Sequence, residues 1–451
     1  MSGIALTIDD SRNSGASVRS HSVAETSVLR VAAATVLLVL ATLANVGDWR
    51  ASLIAVNRLD QFQNRELNVA DNLKGTNLNS AISYVLLGGF GMVAIAITLA
   101  DRRALQLTPI AIVVAAYFAW CGLSAFWSPG VVTGIRKFSS YGLLLIGAAG
   151  FSLWLRPRER VWVAVATTTA LIVGGFALEL SLGTFRPQWS MYRFAGMVHP
   201  NIQAFYGVVL CIASSCLIAG RRARWVVPLL VSLGLACIWL TKSRSSLGGL
   251  LFCGVVVAML AIRGYRRGLL IGGIGSTVCV AVLALSLTGA SMRNRIFGMA
   301  ALGRGKDTQN LTGRVPLWEE LTLAVADRPI TGYGFGSFWN AERVTHYSEI
   351  FLWEIPNAHS VYMDALLQTG VVGLSLFLGM ILAGLTAAIF RQQKSSRAID
   401  LFPIAILAFA LIHGLTESEF VEKGFGGFWM LVCLCSLSTN PHHLQPNEPQ
   451  S

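Results

Sequence analysis

Apolar residues in this chain come in long, nearly unbroken runs, not in the spaced stripe of a soluble helix. A helix needs about 20 apolar residues to cross the hydrocarbon of a bilayer. Runs between charged punctuation fall near 30–46, 81–100, 110–127, 139–155, 161–182, 203–220, 225–241, 247–262, 268–289, 370–390, 403–416 and 425–438. The pattern predicts an all-α, polytopic membrane protein of about twelve transmembrane helices. Residues 1–27 read as a disordered cytoplasmic tail, 28–289 as helices one to nine and 290–369 as one large periplasmic loop with short helices. Residues 370–438 read as helices ten to twelve and 439–451 as a second disordered cytoplasmic tail. The amino-terminal segment is too long and too weakly basic for a signal n-region, so the first span reads as an uncleaved anchor.

Composition narrows the class. Of the 451 residues, 54% are hydrophobic and 13% charged, with mean hydropathy +0.60. Soluble domains carry about 25% charged residues, and disorder needs low hydrophobicity, so both classes are excluded. The eight cysteines all sit in apolar stretches and read as small buried hydrophobes, not as a disulfide framework or a zinc site. Clusters such as Arg221-Arg222-Ala223-Arg224 and Arg263-Gly264-Tyr265-Arg266-Arg267 recur at every second connection. With the amino terminus cytoplasmic, this is the positive-inside pattern, and it sets the 290–369 loop on the outer side.

Polar residues that the topology does not require mark four places, all in connections expected outside. The first is Thr241-Lys242-Ser243-Arg244-Ser245-Ser246. Cations in a short outer hairpin run against the topological bias, and an anion is their natural counterpart; the plain alternative is snorkelling to headgroups. The second is Leu311-Thr312-Gly313-Arg314-Val315-Pro316-Leu317-Trp318. Gly, Arg and then Pro predict a loop entering a helix, which ends near Asp327-Arg328-Pro329. Arg314 then stands at the positive end of a helix, where an anion is favoured twice over; the plain alternative is a solvated arginine.

The third place is Gly332-Tyr333-Gly334-Phe335-Gly336-Ser337-Phe338-Trp339, followed by Trp353 to Ser360. No βαβ unit surrounds the glycines, so a dinucleotide site is rejected. Glycine alternating with aromatics predicts a bent loop packed on the bilayer interface or on a sugar. His359 begins a helical stretch close to where the chain re-enters the membrane. The fourth place is Met191 to Asn201, where Arg193, His199 and Asn201 crowd a span entrance and Asn201 is a candidate helix cap. Glu179, the one acid inside a predicted span, invites a functional reading or a structural pairing with Arg186 or Arg193. His346 and His413 have no visible partners in the sequence.

The order of these motifs resembles the O-antigen ligase and polymerase superfamily. The basic SRS hairpin comes first, then TGR-x-x-x-W, then RP-x-x-GYGFGSFW and AHS-x-Y-x-x-x-L-x-x-x-G-x-x-GL. The likeness is nearest to Wzy-type exopolysaccharide polymerisation proteins, and it extends to the RFAGMVHPN segment. It covers about residues 185–390. One departure is Ser360 where the family often has Asn after the histidine. The resemblance implies a GT-C-like fold and an inverting, metal-independent glycosyltransferase at the periplasmic face of a bacterial inner membrane, without cofactor or nucleic-acid partner. Its donor would be a glycan on undecaprenyl pyrophosphate and its acceptor a glycan, with chain-length regulator and export proteins as further partners. By similarity, Arg244 and Arg314 would bind pyrophosphate with Lys242 beside them, and His359 would stand at the reaction centre. Arg193, His199, Asn201 and Glu179 are weaker substrate-binding candidates.

The chemistry of the residues agrees with this. Charge developing on a departing pyrophosphate needs a metal or fixed cations, and arginine forks bind phosphate bidentately. A histidine suits the removal of an acceptor hydroxyl proton. Transfer onto a growing chain and transfer of a finished glycan to another acceptor use the same chemistry. A transporter is the reading from another class, and it would place its polar residues near midplane. Arg314→Lys keeps the charge but loses the fork, and it is expected to lose most of its transfer activity in a lipid-linked glycan assay. Full turnover in that variant would remove Arg314 from the site.

Overall fold

The computed structural model describes residues 11–45, 77–100, 107–189, 192–217, 223–262, 313–420 and 424–439. Eight helices come first: α1 Ser11–Asn45, α2 Asn77–Ala100, α3 Pro109–Ser124, α4 Val131–Trp154, α5 Pro157–Ser181, α6 Pro200–Ser215, α7 Ala223–Thr241 and α8 Arg244–Ala261. Five follow: α9 Arg314–Asp327, α10 Ala341–Phe351, α11 Val361–Ser395, α12 Leu401–His413 and α13 Phe425–Leu437. No strand occurs among the described residues beyond one bridge between Leu107 and Thr439. Helices thus lie at eleven of the twelve predicted positions, and the ninth, 268–289, falls outside the described residues. Six are long and apolar enough to cross a membrane: Glu25–Ala44, Ala81–Ala100, Pro109–Trp127, Pro157–Ser181, Arg244–Ala261 and Val361–Ser395. Helices α12 and α13 are short but almost wholly buried. The chain is therefore a multi-pass, all-α membrane protein.

One expectation needs correction. Helix α1 begins at Ser11, inside the segment predicted to be disordered. Once an apolar span has formed the helix, each residue added at its end gains a hydrogen bond without a new nucleation cost, so helix extends into weakly forming sequence.

The helices pack through small residues. Helix α2 lies on α4, where a Cβ on Gly91 would meet the Ile146 carbonyl oxygen at 2.2 Å and one on Gly150 would meet the Gly91 Cα at 2.5 Å. Backbone touches backbone there, which is how helices associate when lipid tails are as apolar as leucine. The seven described cysteines are buried free thiols.

Connections sort to two ends. At one end Arg30 pairs with Glu159 at 3.1 Å and Arg391 with Asp400 at 3.4 Å, and Thr108 N–H donates to the Ser438 carbonyl. At the other end the loops before α4 and α6, the α7–α8 hairpin, residues 313–360 and the α12–α13 connection meet. These are the two groups that alternate basic clusters predicted.

Residues 313–360 form a lobe with its own small core of Leu317, Leu321, Tyr333, Phe338, Trp339, Val344, Tyr347, Ile355, Ala358 and Leu367. A break in α11 joins it to the bundle. Gly370 has φ 66° and ψ −170°, and a Cβ there would meet the Ile330 carbonyl oxygen at 2.1 Å. The carbonyls freed by the break are all taken. Tyr333 N–H donates to Leu367 O at 2.9 Å, Gly334 N–H to Gln368 O at 2.8 Å, and the Trp120 indole to Thr369 O at 3.0 Å. Gly336 N–H donates to the Gln368 side chain at 2.8 Å, and Lys137 caps Gly336 O at 2.6 Å. The glycine-aromatic motif is thus a seam between lobe and span. Its rings are buried in the lobe or stacked on α4, as Phe335 is on Tyr141, so it presents no sugar platform. Gly370→Ala is expected to cost about 2–4 kcal/mol through the strained φ and the clash. Thermal unfolding of the solubilised protein checks this, and an unchanged Tm would refute the role given to the break.

Candidate functional site

Arg314 occupies the first position of α9, after Gly313 in the left-handed conformation at φ 82°. Its guanidinium Nη2 lies 2.9 Å from the Glu417 carboxylate, and Nη1 donates to the Thr416 carbonyl oxygen. The pair is 15% and 7% exposed. The helix start predicted from Gly, Arg and Pro therefore forms, and the expected anion is supplied by the protein itself. Glu417 was not singled out in the sequence, because it follows a short span and has no motif around it.

The same Glu417 oxygen accepts two more hydrogen bonds, from Asn201 Nδ2 at 2.8 Å and from Ser245 Oγ at 3.3 Å. Arg193 donates to Asn201 Oδ1 at 2.7 Å and to the Thr241 carbonyl at 2.9 Å. Three of the four predicted places, spread over more than 100 positions of the chain, thus converge on one carboxylate. Arg244 begins α8 directly beside Ser245, with Lys242 two residues earlier in a left-handed turn at φ 52°. Ser243 bonds Ser246 at 3.0 Å, and Ser246 lies 3.3 Å from His413 Nε2, so that buried histidine has a partner the sequence did not reveal.

Two expectations around the fourth place are corrected. The cap of α6 is His199, whose Nδ1 accepts the Asn201 N–H at 3.3 Å, while the Asn201 side chain bridges Arg193 and Glu417. Pro200 sets this register, since its fixed φ and missing N–H suit the first helical position. Glu179 is fully buried and pairs with neither Arg186 nor Arg193. It accepts the Tyr192 hydroxyl and the N–H groups of Ala195 at 2.9 Å and Gly196 at 2.8 Å. A carboxylate in that setting is better satisfied by three converging donors than by one long, mobile cation. Its effect is to pin the loop that carries Arg193 and His199.

His359 sits on the lobe side of the site, in a left-handed turn at φ 50° closed by its N–H to Asn357 Oδ1 at 3.0 Å. Its ring lies 5.2 Å from that of Trp353, and its Nε2 is buried with no hydrogen-bond partner among the described residues. Burial first, then the nearby charges of Arg314 and His199, push its pKa from 6.5 down to about 3, so it is neutral at pH 7. The same field ties His359 to Arg314 and His199, which brings the predicted histidine to the predicted arginine.

Asp364 fixes how the two halves meet. It is fully buried and accepts the Trp339 indole at 2.7 Å, the Ala358 N–H at 3.1 Å and the Ser418 hydroxyl. Ala358 precedes His359 and Ser418 follows Glu417, so one carboxylate holds the chain on both sides of the site. The sequence carried a signal for it: an acid in the first turn of a helix, five residues after the histidine.

Residues 229–378 match the O-antigen ligase family Wzy_C. The chain is 27% identical over 330 residues to the exopolysaccharide production protein ExoQ of Rhizobium meliloti (strain 1021), covering 68% of this chain and 71% of that protein. These likenesses support the O-antigen ligase/polymerase-like family read from the motifs.

Asp364→Ala leaves three buried donors without an acceptor and is expected to destabilise the protein by about 3 kcal/mol or more. Asp364→Asn keeps the acceptor oxygen and is expected to lose less than half as much. Thermal melts of the two variants in detergent compare them, and equal stability of Asp364→Ala and wild type would refute the hub.

Proposed function

We propose that this protein is a bacterial inner-membrane polysaccharide polymerase. It transfers repeat units from undecaprenyl pyrophosphate onto a growing exopolysaccharide or O-antigen chain at the periplasmic face. The observation that carries this reading is the cluster in which Arg314, Asn201 and Ser245 gather on Glu417, with Arg193 bonded to Asn201 and His359 within the electrostatic field of Arg314. An arginine placed among converging polar groups at the edge of a membrane bundle is a functional-site candidate.

In this reading the acceptor hydroxyl oxygen attacks the anomeric carbon from the face opposite the pyrophosphate. The carbon–oxygen bond to the pyrophosphate breaks with its electron pair going to the phosphate, and configuration inverts. The hydroxyl proton passes to His359 Nε2. Arg314 and Arg244, with Lys242, take the charge that develops on the leaving group. Glu417 holds the Arg314 fork in place until the donor takes over part of its bonding. His199, Arg193 and Asn201 line the entrance for substrate, whereas Glu179 acts by holding their loop.

The low basicity of His359 fits this sequence of events. A base whose pKa is about 3 is a weak proton acceptor. Arrival of a pyrophosphate beside Arg314 offsets that cationic field, the second cause of the depression after burial, and so raises the basicity of the histidine. Proton acceptance is then strongest when the donor is bound. The alternative acceptor, a lipid A core or other final carrier, would make the protein a ligase with the same machinery.

Cells lacking the gene are expected to accumulate single lipid-linked repeats; accumulation of long unattached chains would favour the ligase. The purified protein in nanodiscs is expected to elongate lipid-linked repeats in the presence of EDTA. Loss of that activity on chelation, with recovery on adding a divalent ion, would overturn the arginine-only cradle.

A further inference from the structure

Trp353 lies between the two halves of the site. Helix α10 ends at Leu352, held left-handed at φ 59° and 90% exposed. This turn throws the chain back so that the Trp353 indole reaches inward. On one side its ring is 5.2 Å from the His359 ring, with the planes tilted by 39°. On the other, its Nε1 is the nearest atom to the space above Gly313, where a Cβ would meet it at 3.5 Å. Gly313 is the residue that launches Arg314.

The other tryptophans of the lobe behave differently. Trp318 donates to Ala358 O at 2.8 Å and Trp339 to Asp364 at 2.7 Å, and both serve packing. Trp353 packs against the lobe core but stays half-buried, and its indole N–H makes no hydrogen bond among the described residues. In the proposed reaction the sugar in transit lies between the arginine that holds the leaving pyrophosphate and the histidine that receives the acceptor proton, and Trp353 touches the elements that carry both. An indole suits it: the apolar C–H face of a pyranose covers the ring, and a hydroxyl takes the N–H.

Resting on the proposed transfer reaction, we infer that Trp353 is a further substrate-binding residue, the stacking platform for the sugar attached to the pyrophosphate. The residue reads the glycan and not the carrier. Trp353→Ala therefore separates the two parts of the donor. Full-length protein in nanodiscs is titrated with undecaprenyl pyrophosphate alone and with the same carrier bearing an oligosaccharide. For Trp353→Ala the bare carrier is expected to bind as in wild type, while KM for the glycan-bearing donor rises about tenfold or more. Trp353→Phe keeps an aromatic face and is expected to stay within about threefold of wild type.

An unchanged KM in Trp353→Ala, equal weakening of both ligands, or a Trp353→Phe loss as large as that of alanine would overturn the platform. Wild-type protein that binds neither ligand would instead sink the proposed reaction, and this inference with it. Wild-type protein that binds and turns over the donor, with Trp353→Ala indistinguishable from it, sinks the platform alone.

Discussion

A cation at the margin of a low-dielectric bundle cannot stand alone. The cost of removing its water is repaid only by an opposite charge and by hydrogen bonds of good geometry. In this protein the Arg314–Glu417 pair meets that requirement, and much of the surrounding architecture follows from it. Glu417 sits in the connection between α12 and α13, Arg314 at the mouth of α9, and Asn201 and Ser245 at the mouths of α6 and α8. Three helix starts are thereby drawn to a single oxygen atom of that connection. The pairing also fixes the orientation of the Arg314 fork, which the protein itself holds from both guanidinium ends.

A second tier of buried acids supports the first without touching it. Glu179 organises backbone N–H groups on the bundle side, and Asp364 gathers a tryptophan, a serine and a backbone N–H on the lobe side. Neither has a basic partner. Each instead answers several neutral donors, an arrangement that rigidifies a loop.

What could be read from the sequence depended on how local the signal was. Apolar runs and basic clusters are properties of consecutive residues, so the helices and their alternation were legible. The start of α9 was equally legible, because Gly313, Arg314 and Pro316 state it within four positions. Glu417 was not, since its meaning lies in partners 103 to 216 positions away. The cap of α6 was misassigned to Asn201 for a related reason: its side chain had a distant claim on it that outweighed the local one. The crossing of Gly91 with Gly150 also escaped notice, because it lacks the regular four-residue spacing that would have marked it.

The seam at Gly370 carries an implication for how the molecule senses its surroundings. Three backbone carbonyls of one long transmembrane rod are bonded directly to the lobe or to the neighbouring helix α3, with no slack linker between. A change in the inclination of that rod, such as a thicker or thinner lipid layer would impose, is therefore delivered undamped to the turn bearing His359. Lobe and span therefore answer the leaflet as one connected body.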